Sequence, residues 1–99
     1  MWGYNIMSEQ PQQGLVIIGK KPLMNYVVAC LSLFNSGTTQ VKIRARGLAI
    51  CSAVGTTNLL RKAFVKDLVI ENISIGTQEF SGIGGKNTRV STIEIVISK

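Results

Sequence analysis

An apolar run that stops on a glycine and resumes behind a proline constrains this chain more than any other stretch in it. In GLVIIGKKPLMNY, residues 14–26, Leu15 to Ile18 are continuously apolar between Gly14 and Gly19, and Pro22 opens a second apolar segment. A short, glycine-bounded apolar run reads as a strand covered on both faces. Proline is favoured at the first helical position, where its missing N–H would be unpaired anyway, so Pro22 marks the start of a helix. Lys20 and Lys21 then fall in the turn between strand and helix. A helix N-terminus carries partial positive charge and unpaired amides. Two lysines there concentrate positive field at one corner, and the natural occupant is an anion such as phosphate. The plain alternative is a pair of solvated turn lysines.

The remaining elements follow from periodicity. From Pro22 to about Asn35 only Asn25 and Ser32 are polar, so the helix is expected to be buried on most of its circumference, and Asn35, Ser36 and Gly37 stop it. Val41, Ile43 and Ala45 then alternate with Lys42, Arg44 and Arg46. This is a strand's period, and it places the three cations on one face roughly 6.7 Å apart. A second helix is expected over 48–65, with Ile50, Ala53, Val54, Thr57, Leu60, Arg61 and Phe64 along one face and Gly55 as its weak point. Residues 68–79 read as a third strand whose apolar phase changes at Glu71 and Asn72, as a bulge would cause. Residues 89–98 read as a fourth, with Ile93, Ile95 and Ile97 on one face. Between them FSGIGGKNT predicts a flexible hairpin tip, with Lys86 and Arg89 at its return. Residues 1–13 lack periodicity and are expected to form a mobile tail, with 14–99 as the single domain; Met7 is a second candidate start.

Charge distribution narrows the function. The chain has 99 residues, a net charge of +6 and 45% apolar residues. That length supports one core, and the apolar surplus suggests a partner subunit. Between Gln10 and Lys66 stand Lys20, Lys21, Lys42, Arg44, Arg46, Arg61, Lys62 and Lys66 with no acid; Glu9 precedes them, and Asp67, Glu71, Glu79 and Glu94 follow. A long acid-free, base-rich segment points to a polyanionic partner. No run approaches the roughly 18 apolar residues of a membrane span, so a soluble, intracellular protein is expected. Cys30 and Cys51 lie in apolar helical patterns without CxxC spacing, and both are expected to be buried, reduced thiols.

Catalytic equipment is missing from the sequence. Without histidine there is no histidine relay, and neither a metal tetrad nor a close carboxylate pair is evident. Gly14 to Lys21 nearly fits a phosphate-binding loop, but Lys21 stands where a magnesium-binding hydroxyl is needed; GIGGKN fails in the same way at Asn87. These residues describe a binding protein, without metal or other cofactor, rather than an enzyme. An enzyme acting on a small anion at the lysine corner is the remote alternative.

The elements run β-α-β-α-β-β, and the residues that fill them resemble the Alba family of archaeal chromatin proteins. The resemblance rests on IGKKPLMNYV at 18–27, IRARG at 43–47 and RVSTIEIVI at 89–97. It implies a compact α+β domain: a four-stranded mixed sheet packed with two helices, and a long β-hairpin arm between the third and fourth strands. It further implies a homodimer that binds double-stranded DNA with little sequence preference and coats, bridges and compacts it, in the cytoplasm on the chromosome. Binding to RNA, or a ribonucleoprotein role, is the alternative. By the same resemblance Lys20, Lys21, Arg44, Arg46, Lys86 and Arg89 contact nucleic acid, and Lys42, in register with the two arginines, and Asn25 complete the expected nucleic-acid-binding set. Lys20 is the acetylation site, and Phe64 lies where neighbouring dimers associate. Leu48 and Ser52 replace basic residues common in the family, which implies weaker binding or altered packing along DNA.

Overall fold

Strand β1, Gln13–Ile17, is the first element of the computed structural model, which describes residues 13–81, 83–85 and 87–99. The expected tail therefore lies, apart from Gln13, outside the described residues, as do both candidate starts. β1 runs parallel to β2, Gln40–Arg46. Parallel neighbours need a crossover, and helix α1, Leu23–Asn35, supplies it. After β2 a 3₁₀ turn, Gly47–Ala49, leads into α2, Ile50–Leu59, which ends in a π-helical turn, Leu60–Phe64. β3, Val69–Ser81, and β4, Asn87–Ser98, form a long antiparallel hairpin, and β4 inserts between β2 and β3 to give the order β1-β2-β4-β3. The α+β class, the element order and the four-stranded mixed sheet are as the sequence implied.

Alternation in the strands decides what the sheet buries. Val16, Ile18, Val41, Ile43, Ala45, Ile95 and Ile97 form the inner face and pack in one core with Tyr26, Val27, Cys30 and Phe34 of α1 and Ala53 and Leu60 of the second helical segment. Both helices lie on that face, so the other face of the sheet is open. Coverage of β1 on both faces is thereby corrected: Leu15 is 49% and Ile17 66% exposed, because β1 is an edge strand with helices on one side only.

The helix ends show which local rules prevailed. Pro22 has φ −57° and ψ 148°, an extended ψ, so it caps α1 from outside rather than serving as its first residue. At the other end Gly37 adopts φ 103°, and the amides of Gly37 and Thr38 bond the carbonyls of Phe34 and Leu33 at 3.2 and 3.0 Å. Such a left-handed closure favours glycine. α1 is less buried than expected: Met24 and Val28, one turn apart, are 46% and 53% exposed.

Helix two departs further from its expected form. Ala53, Thr57 and Leu60 are buried as expected, but Val54 and Phe64 are 41% and 48% exposed. The amide of Val65 reaches back five residues to the carbonyl of Leu60 at 2.6 Å, and this wider turn rotates the residues after Leu60 away from the buried stripe. Gly55 has a packing reason: a Cβ there would sit 2.9 Å from Leu23 Cδ1, so α1 and α2 meet closely across it. Cys51 is exposed, against expectation, since it begins α2 on the side away from Ala53; Cys30 is buried, and burial pushes its thiol up to about 11.

β3 changes phase where its sequence does. Pairing with β4 shifts register between Ile70 and Asn72, leaving Glu71 as a bulge, and every residue from Glu71 to Ser81 is exposed. The hairpin is thus an arm that extends beyond the packed body.

Candidate nucleic-acid interface

The open face of the sheet collects the cations of β2. Lys42 is half-buried, while Arg44 and Arg46 are exposed. Register sets Arg44 between Ile17 of β1 and Glu94 of β4, and Arg46 beside Thr92. Arg46 reaches past β4 to the arm: its Nη1 donates to Gln78 Oε1 at 3.4 Å, and the guanidinium lies 5.4 Å from the centre of the Phe80 ring. Small side chains at Ser74 and Thr92, and none at Gly76, leave a hollow of about 570 Å³ walled by Ile17, Arg44, Arg46 and Gln78.

An acid enters this surface that the linear sequence kept far away. Arg44 Nε donates to Glu94 Oε2 at 2.6 Å. This hydrogen bond, opposed by partial desolvation and aided by the charges of Arg44 and Lys42, holds the Glu94 carboxyl below the usual carboxylate range. The segment from Gln10 to Lys66 is acid-free along the chain but not in space.

The lysine turn is built by a buried tyrosine. Tyr26, in the first turn of α1, is 7% exposed, and its hydroxyl oxygen accepts the amides of Gly19 at 2.8 Å and Lys21 at 3.0 Å. The expected free amides are therefore partly spent, and what the corner offers an anion is chiefly the ammonium groups of Lys20 and Lys21, both exposed. Ile18 N–H bonds the Arg44 carbonyl at 2.8 Å, which fastens this turn to the end of β2. Lys21 and Asn25 line a second hollow with Leu15, Ile17 and Val28, and Ile17 also lines the hollow of Arg44 and Arg46.

Other expected residues fall elsewhere. Arg89 is cross-strand from Glu79, with Nε and Oε2 3.1 Å apart, and its place along β4 matches Ile93 and Ile95, so it leaves the arm on the opposite face from Arg46's neighbours. Lys86 lies outside the described residues. Phe64 stands half-exposed on the π-helical turn; Leu48 is 99% exposed and Ser52 half-buried nearby in the chain. Among the described residues no group of three or more His, Cys, Asp or Glu gathers as a metal site would need, and no helix is long and apolar enough to cross a membrane. Sequence reasoning missed Tyr26, Gln78, Phe80 and Glu94. A tyrosine one helical turn after a GKKP turn was a usable signal; the other three depend on cross-strand register.

Comparison with known proteins covers the segment that carries this geometry. The sequence pattern of the Alba family matches residues 15–77, well over half of the chain. The chain belongs to the Alba family. The "DNA/RNA-binding protein Alba" of Methanocella arvoryzae is 40% identical over 89 residues, covering 90% of this chain and 93% of that protein. Alba from Thermoplasma volcanium superposes with a TM-score of 0.79 at 38% identity, over 86% of this chain and 99% of that one. ALBA1 from Trypanosoma brucei gives 0.66 at 28% identity, over 86% and 68%. The Alba pattern runs from within β1 through α1, β2, α2 and most of β3, so it includes both the lysine turn and the arginines of β2.

Proposed function

We infer that this chain binds nucleic acid through phosphate, without reading sequence, and that it does so as a homodimer. The observation that carries this is the assembly around Ile17: the GKKP turn, with Lys20, Lys21 and Asn25, is fastened to the strand that presents Lys42, Arg44 and Arg46 on an open sheet face. A net charge of +6 supports a polyanionic partner. Double-stranded DNA is the first ligand, coated, bridged and compacted by dimers on the chromosome in the cytoplasm. Arg89, although on the opposite face of the arm from Arg46's neighbours, and Lys86 are proposed as further contacts with the duplex. Acetylation of Lys20 removes one cation and weakens binding, and Phe64 serves contact between dimers. RNA is the second ligand, since the Methanocella relative is a DNA/RNA-binding protein.

Uncovered apolar surface supports the second copy. Ile73 and Ile75 pair with Ile95 and Ile93 and continue the inner face of the sheet, yet they are 53% and 82% exposed because the helices stop short of β3. A partner's matching surface completes that layer.

Counterion release makes the reading testable. Affinity for a mixed-sequence duplex falls with salt, with a logarithmic slope of about −0.9 for each phosphate neutralised. Replacing both turn lysines, Lys20→Glu with Lys21→Glu, abolishes most of that binding. Undiminished binding by the double variant, or affinity indifferent to salt, overturns the proposal. Competition between matched DNA and RNA duplexes ranks the two ligands.

A further inference from the structure

A carboxylate is an odd neighbour on a face suited to phosphate. Glu94 and Arg44 are direct cross-strand partners, so the backbone alone brings their side chains together. Their contact at 2.6 Å leaves both side chains in reach of solvent, 52% exposed for Arg44 and 29% for Glu94. Neither charge has been carried into a low-dielectric interior that would lock the pair. Carboxylate and phosphate offer a guanidinium the same feature, charged oxygens that fit its donor fork. Glu94 occupies the Nε side of that fork, and its negative charge stands where it repels an arriving phosphate, so full engagement of Arg44 by phosphate favours release of the carboxylate.

We propose that Glu94 sets the affinity of the nucleic-acid surface by holding Arg44 in the free protein and being displaced from it by an arriving backbone phosphate. The inference rests on the nucleic-acid reading above and deepens it. The surroundings permit the exchange. Ser74, Gly76 and Thr92 leave open space beside the pair, and Lys42 on β2 already acts on Glu94, so the displaced carboxylate keeps a cation nearby. Arg46 differs: it is held by the neutral Gln78 and the Phe80 ring, and its charge is available without any exchange. Arg44 therefore trades one ion pair for another on binding, whereas Arg46 makes a new one.

Four proteins test this: the natural chain, Glu94→Gln, Arg44→Gln and the double variant, each titrated against a short labelled duplex by fluorescence anisotropy over a salt series. Glutamine keeps the size and an acceptor oxygen of Glu94, and thermal melts verify that every variant is folded. Glu94→Gln binds several-fold tighter with the salt slope little changed, because Arg44 neutralises the same phosphate in both proteins and only the competing carboxylate is gone. In the Arg44→Gln background the same change gives no gain. A Glu94→Gln protein that binds no tighter overturns the inference. So does a gain that persists without Arg44, since Glu94 is then only a repulsive charge near the duplex. If the natural chain itself lacks salt-dependent binding, the nucleic-acid reading falls and this inference falls with it; salt-dependent binding without Glu94–Arg44 coupling overturns this inference alone.

Discussion

Tyr26 shows how one side chain can shape a cationic corner without contributing to its charge. Its ring sits in the core while its hydroxyl oxygen accepts the amides of Gly19 and Lys21, so the lysine turn is held against α1 by a single buried atom. Tyr26→Phe keeps the ring and removes that acceptor, leaving two part-buried amides to find other partners. The expected loss is about 1–2 kcal/mol of stability in urea unfolding, the usual penalty for orphaned donors. Duplex affinity falls as well, although no charge changes, because Lys20 and Lys21 lose their fixed placement. A variant with natural stability would mean that water satisfies those amides and that the hydroxyl organises nothing.

Elements were legible wherever a local rule decided them and illegible wherever a neighbour did. The alternation of Val41, Ile43 and Ala45 with Lys42, Arg44 and Arg46 sets both the strand and its faces, and the structure keeps every one of those positions in phase. The bulge at Glu71 was visible in the same way. Whether β1 is covered on one face or two depends instead on strand order and on which side the helices pack, and neither is written in LVII. Arg44 and Glu94 lie 50 residues apart, so only the β2–β4 register joins them. The π-helical turn after Leu59 has no local signature either. Gly37 tests the legible kind of rule. A Cβ there would touch nothing within 4 Å, so Gly37→Ala is opposed only by its φ of 103°. Left-handed backbone costs a residue with a Cβ roughly 1–2 kcal/mol, which is the destabilisation expected in urea titration, with the far-UV helix signal of the folded state unchanged. A cost near zero would mean that α1 ends without this closure.

At the scale of the whole molecule, the decisive feature is that the helical layer is narrower than the sheet it covers. The helices seal Ile43, Ile95 and Ile97 completely, but the same inner face continues onto β3 through Ile73 and Ile75 with nothing above it. Roughly 25 cal/mol is forfeited for each Å² of apolar area left in water, so covering this strip is what the proposed second copy would gain. Ile75→Lys places a charge in the middle of that strip at a residue already 82% exposed, so the fold of one subunit has little to lose. Sedimentation is expected to show a dimer for the natural chain and a monomer for Ile75→Lys, with thermal melting of the variant independent of its concentration. Binding should then separate the two scales. Each phosphate contact belongs to one subunit, so the magnitude of the salt slope on a short duplex falls by about half when the dimer is split. If Ile75→Lys remains dimeric, the second copy docks elsewhere, and the bare strip on β3 has another occupant.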